Sequence, residues 1–103
     1  MNNKTYTVLI TSEARHMLKE HITFLARVSI SAAKVLREDL LSRIKSLETT
    51  PYLCPVFFSD SLETEYRKLV YKRYLILYNI DETDRIVRVK YIWDSRQNNQ
   101  LLV

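Results

Sequence analysis

The chain is predicted to fold as an α+β domain with the element order β-α-α-β-β-β. A two-helix hairpin packs on one face of a mainly antiparallel four-stranded sheet. Three observations carry this reading. β-branched and aromatic stretches stand at residues 5–10 and again after residue 66. Between them lie two stretches whose apolar residues recur at steps of three and four, the helical period. The last three strand-like runs are joined by links short enough to be hairpin turns. A length of 103 residues fits a single domain spanning 1–103.

The first strand is TYTVLI, residues 5–10. Thr11 or Ser12 is placed to cap the helix that follows, with Glu13 favourable in its first turn. Ala14, Met17, Leu18, His21, Ile22, Leu25 and Val28 share one face of that helix. His21 on this stripe reads as a half-buried, satisfied histidine rather than a catalytic one, and His16 falls off the stripe toward solvent. Ser29 or Ser31 caps a second helix, whose buried face is Ala33, Leu36, Leu40, Ile44 and Leu47. That helix ends before Pro51, because the residue preceding a proline disfavours helical geometry. The predicted helix–sheet contact is Met17, Leu18, Ile22, Leu25, Leu36, Leu40 and Ile44.

Residues 51–65, with two prolines, read as a connection, and Cys54 between them as a small apolar plug. Three strands follow, at 66–71, 74–80 and 85–93. Only Lys72 and Arg73 separate the first two. Two-residue hairpin turns usually require a positive φ, and this chain contains no glycine, so either Lys72 or Arg73 takes a costly conformation or the turn is wider than two residues. DETD, 81–84, forms the next turn. Alternation puts Tyr74, Ile76, Tyr78 and Ile80 on one strand face beneath the helices, and Leu75, Leu77 and Asn79 on the other. In the last strand it groups Val87, Val89, Tyr91 and Trp93 against Ile86, Arg88, Lys90 and Ile92. Leu75 is thereby expected on the open face near Arg88 and Lys90.

An apolar share of 47 % and a charged share of 27 % are those of a globular protein. No run of 18 apolar residues suggests a membrane span, and the first ten residues lack the apolar core of a signal peptide. With one cysteine, an internal disulfide is excluded, and a cytoplasmic location is expected. Two histidines and one cysteine, widely spaced, form no metal-site pattern, and no cofactor is expected. The net charge of +4 suits an acidic partner. Residues 66–103 hold eight cations and four acids, three of the acids in the 81–84 turn. Arg67, Lys68, Arg88, Lys90 and Arg96 are the candidates for contacting a target or RNA. A solvated sheet face kept soluble by Lys and Arg accounts for them equally.

The order of elements, the segment EYRKLVYKRYLILYNID and the ending VRVKYIWDSRQNN resemble the RelE/ParE toxin superfamily of bacterial type II toxin–antitoxin (plasmid stabilisation) systems. The resemblance rests on Arg67, Leu69, Tyr74, Ile76, Tyr78, Asp81 and Arg96. It implies the RelE/ParE-like toxin fold, growth inhibition and a cognate acidic antitoxin. It also implies one of two targets, DNA gyrase for ParE-like members or ribosome-bound mRNA for RelE-like endonucleases. RelE-like members carry an arginine after the first tyrosine of the third strand and an acid or base near the C-terminus. Here the first position is Leu75, and QNNQLLV after Arg96 contains no Tyr, His, Lys or Glu. The resemblance therefore points to gyrase inhibition ahead of mRNA cleavage. The endonuclease, and a non-toxic relative that only binds an antitoxin-like partner, stay open.

Overall fold

The computed structural model describes residues 5–59 and 64–96. Strand β1 (Thr7–Ile10) leads into α1 (Ser12–Ala26) and α2 (Ile30–Lys45), which ends in one 3-10 turn at Ser46–Glu48. Strands β2 (Val56–Ser59), β3 (Glu65–Tyr71), β4 (Tyr74–Asp81) and β5 (Ile86–Asp94) follow. The sheet order is β1-β5-β4-β3-β2, with β1 parallel to β5 and the other pairs antiparallel. The predicted order of elements is present, but the sheet has five strands rather than four. The extra strand, VFFS, lies inside the stretch expected to be a connection. Pro51 and Pro55 just before it disguise it in sequence, and pairing with β3 makes it a strand.

Both helices start where side-chain caps are available. The Thr11 hydroxyl accepts from the Ala14 N–H at 3.2 Å, and Ser29 from the Ala32 N–H at 3.1 Å. Their inner faces form the core with β4 and β5, through Ala14, Leu18, Leu36, Leu40, Ile44 and Leu47 against Ile76, Tyr78, Val87, Val89 and Ile92. Met17, Ile22 and Leu25 pack on its margin. Val28, grouped with the buried stripe by its spacing, is 80 % exposed, because α1 stops at Ala26 and the chain turns before reaching it.

Cys54 packs half-buried against the core. The proline-flanked loop around it is held by two directly opposed sheet residues, Arg67 and Tyr78. The buried Tyr78 hydroxyl donates to the Pro51 carbonyl at 2.6 Å, and the Arg67 guanidinium donates to the Cys54 carbonyl at 2.6 Å. Irregular backbone on a sheet needs such partners, since a buried unpaired carbonyl is costly.

Lys72 adopts a φ of 54°, as the missing glycine requires, and Arg73 keeps a negative φ. Arg85 also has a φ of 54°, so β5 begins at Ile86, one residue later than its sequence suggests. A side chain with a Cβ in this region costs about 1–3 kcal/mol. Lys72→Gly is expected to raise stability by about 1 kcal/mol, read as a higher urea midpoint.

The largest departure from alternation lies in β5. Leu77 stands opposite Tyr91, yet Tyr78 stands opposite Val89, so Lys90 is an extra residue in a β-bulge. Beyond it the faces exchange. Ile92 and Asp94 turn to the core side and are buried, while Tyr91 and Trp93 join Leu75 and Leu77 on the open face. The grouping of Val87 and Val89 with Tyr91 and Trp93 is therefore corrected. Tyr91, Ile92 and Trp93 are all apolar, and three consecutive apolar residues cannot report a one-residue shift.

Candidate functional site

The sheet face turned away from the helices carries a ribbon of aromatic rings. Phe58 of β2 stacks on Tyr66 of β3 with centroids 4.6 Å apart. Tyr66 meets Tyr91 at 6.3 Å, and Tyr91 meets Trp93 at 5.3 Å. A second bulge, between Val56 and Phe58, makes Phe57 the extra residue in β2, and the Lys68 ammonium sits 4.8 Å from the centre of its ring. Leu77 is fully buried on this same face. The Trp93 indole N–H is also buried and has no hydrogen-bond partner among the described residues. Sequence reasoning singled out the cations of this face and missed its aromatic rings, because the two bulges that collect them are decided by strand pairing.

The five candidate cations do not gather at one point. Arg67, Arg88 and Lys90 line a cleft of about 570 Å³ with Tyr52, Thr64, Glu65, Asn79, Ile80 and Asp81. Arg88 stands opposite Asn79 and Asp94 opposite Tyr74. Asp94, with which Arg96 pairs, thus lies roughly 17 Å along the sheet from Arg88, at about 3.3 Å per residue. Three of the five are tied to local partners. Arg67 holds the Cys54 carbonyl and lies 4.9 Å from the Tyr52 ring centre. Arg88 pairs with Asp81 at 3.3 Å, and Arg96 with Asp94 at 3.4 Å. Lys90, on the bulge, forms no ion pair among the described residues.

His21 faces away from this surface. Its Nε2 lies 2.7 Å from the Ile92 carbonyl and its ring 5.2 Å from that of Tyr74, the satisfied state expected for it. His16 is exposed beside Glu20. The Tyr6 and Tyr52 hydroxyls both donate to one oxygen of Glu82, at 2.5 Å each, fastening the β4–β5 turn to the loop at 51–55. That hydrogen bond pushes the Tyr52 pKa up to about 12.

Two carboxyls are held below their ordinary value of 3.8. For Asp94, burial opposes the charge, but the Arg96 backbone N–H at 2.9 Å, its guanidinium and nearby Arg73 outweigh burial. For Asp81 the main cause is the Asp84 N–H at 3.1 Å, followed by Arg88. A depressed folded pKa means that the unfolded chain binds protons more readily. The stabilisation is complete above the unfolded value of 3.8 and is lost as the pH falls below it, through the folded values. Urea titrations from about pH 5 down to about pH 2 are expected to show falling stability, with a shallower fall for Asp94→Asn.

Residues 8–99 match the family described as the ParE toxin of the type II toxin–antitoxin system, parDE. The chain belongs to the ParE toxin family. Two solved structures share its fold. One is the toxin–antitoxin complex RelBE2 from Mycobacterium tuberculosis, with a TM-score of 0.68 and 17 % identity, covering 90 % of this chain and 94 % of that one. The other is the chromosomal ParDE toxin–antitoxin system from P. aeruginosa, also with a TM-score of 0.68, at 11 % identity, covering 87 % and 96 % respectively. At these identities the likeness is one of fold. No curated protein matches the sequence significantly.

In this ParE-family toxin, Leu75 lies on the open face as expected, but not near Arg88 and Lys90. Its cross-strand neighbours are Val70 and Trp93. The run 97–103, which lacks an acid or base, lies outside the described residues. Among the described residues no helix is long and apolar enough to cross a membrane, and no cluster of His, Cys, Asp or Glu has the form of a metal site.

Proposed function

We propose that this toxin acts by binding its target, in the manner of DNA gyrase inhibition, and is neutralised in the cytoplasm by an acidic antitoxin. The observation that carries the reading is the environment of Leu75. Where the resemblance to mRNA-cutting relatives calls for an arginine, an uncharged side chain lies between Val70 and Trp93 at one end of an aromatic face. Cleavage at a phosphate needs a proton acceptor and free cations at one place. Here Arg88 and Arg96 each face an aspartate and stand far apart. Aromatic rings on a sheet suit a protein interface better, since Trp and Tyr dominate binding energies there.

The test runs supercoiling by purified gyrase alongside ribosomes programmed with message. Loss of supercoiling with intact message is the expected result. Efficient cutting of message that Arg96→Ala abolishes would overturn the proposal. Growth arrest on expression separates either toxin from a relative that only binds a partner.

A further inference from the structure

A groove lies where the helices meet the β3–β4 turn, and it has a volume of about 360 Å³. Leu25 of α1, Val35 and Leu36 of α2 and Tyr74 of β4 give it apolar walls, and Lys72 and Arg73 of the turn also line it. Leu36 and Tyr74 are buried, Leu25 is half-buried and Val35 is exposed, so an apolar surface runs from the core out to solvent. Leaving such a surface wet is unfavourable. The chain leaves the sheet at this same place. Asp94, the last residue of β5, stands opposite Tyr74, and the Ser95 N–H donates to the Arg73 carbonyl at 2.7 Å. The Arg73 guanidinium lies 3.5 Å from the Asp94 carboxylate. Two residues that line the groove thus hold the chain just ahead of residues 97–103, which lie outside the described residues. These read QNNQLLV: four amide side chains, then three consecutive apolar ones, and no charge.

We infer that this groove is filled by the chain's own Leu101, Leu102 and Val103, with residues 97–100 as the tether. Reach allows it. Four residues span up to about 14 Å, and the tether starts beside Tyr74, itself a groove wall. Chemistry favours it as well. Apolar side chains meet an apolar wall, and a segment without charge carries no ion to desolvate against Leu36 and Tyr74. The Gln and Asn carbonyls of the tether are acceptors suited to the Lys72 and Arg73 donors. A short tether gives its segment an effective concentration of about millimolar, which favours it over the same residues of a second copy in dilute solution. Docking covers the exposed side of Val35 and fixes the chain just beyond Trp93, while the aromatic face stays open. It is independent of what that face binds.

The test is NMR on the full chain carrying ¹³C-labelled methyl groups. Cross-relaxation peaks are expected from the methyls of Leu101, Leu102 and Val103 to those of Leu25, Val35 and Leu36. Leu102→Asp is expected to remove these peaks and to shift the methyl signals of the three groove residues. Signals of Leu40 and Ile76 should stay in place, since both lie in the core, and they report that the variant is folded. Groove signals that Leu102→Asp leaves unmoved would overturn the inference. A mixture of labelled and unlabelled copies identifies the source of the segment. Peaks that arise within one copy support the docking, whereas peaks found only between copies would give the groove to a second molecule and overturn it. Peaks from residues 101–103 to Tyr91 or Trp93 in place of the groove, or no peak from them to any residue before Arg96, would overturn it too.

Discussion

Leu40→Ala is expected to destabilise the fold by about 2–5 kcal/mol, the usual cost of a large-to-small change that leaves a cavity. Leu40 sits in the middle of α2 with no exposed surface, in one cluster with Leu36, Ile44, Ile76 and Tyr78. Elements on several sides meet there, so the surroundings cannot collapse into the space without moving the helix off the sheet. Val35, on the same helix, is 51 % exposed, and Val35→Ala is expected to change stability by only about 0.5 kcal/mol. Urea unfolding of the two variants measures the contrast. The midpoint for Leu40→Ala should fall well below that of the parent at an unchanged slope. Equal midpoints for the two variants would show that the α2–sheet contact is not the centre of the core. For a domain this small the predicted loss is a large part of the whole, since total stability is typically about 5–15 kcal/mol.

Trp93→Ala is expected to weaken inhibition of the target by about 30-fold or more, equivalent to about 2 kcal/mol, the scale of an interface hot spot. Trp93 ends the aromatic ribbon, next to Tyr91 and opposite Leu75. Its indole N–H is buried and unpartnered among the described residues, so the ring contributes area rather than a hydrogen bond to a target. Trp93→Phe should retain most of the inhibition, because a ring still fills the place and only the N–H is lost. Urea midpoints of both variants separate lost binding from lost fold. Unchanged inhibition by a well-folded Trp93→Ala protein would remove the aromatic face from the proposed target contact. Inhibition lost on Lys90→Glu instead would move the contact to the cleft shared by Arg67 and Arg88.

Much of the fold was legible from residues near one another in the chain. Helix faces follow a period of 3.6, and the stripe Ala33, Leu36, Leu40, Ile44 and Leu47 is buried throughout. The two-residue link at Lys72 and Arg73 announced a strained turn, because no glycine was present to relieve it. The site was less legible. Arg67 looked like a free cation on a strand, and it is a structural donor to a loop carbonyl 13 residues earlier. The cleft and the ribbon collect residues from several strands, and the groove collects residues from α1, α2 and the β3–β4 turn.

By itself the sequence determined the order of the helices and the main strands, where both helices begin, the buried face of α2 and membership of a toxin superfamily, since each of these is written in local pattern or in a contiguous motif. Only the tertiary structure decided the fifth strand and the bulge at Lys90. A strand exists when a partner completes its backbone hydrogen bonds, and a bulge when the partner strand skips a residue; neither cause is local. That single extra residue turned Tyr91 and Trp93 outward and Ile92 and Asp94 inward, so pairing rather than composition chose which side chains this protein presents to a target.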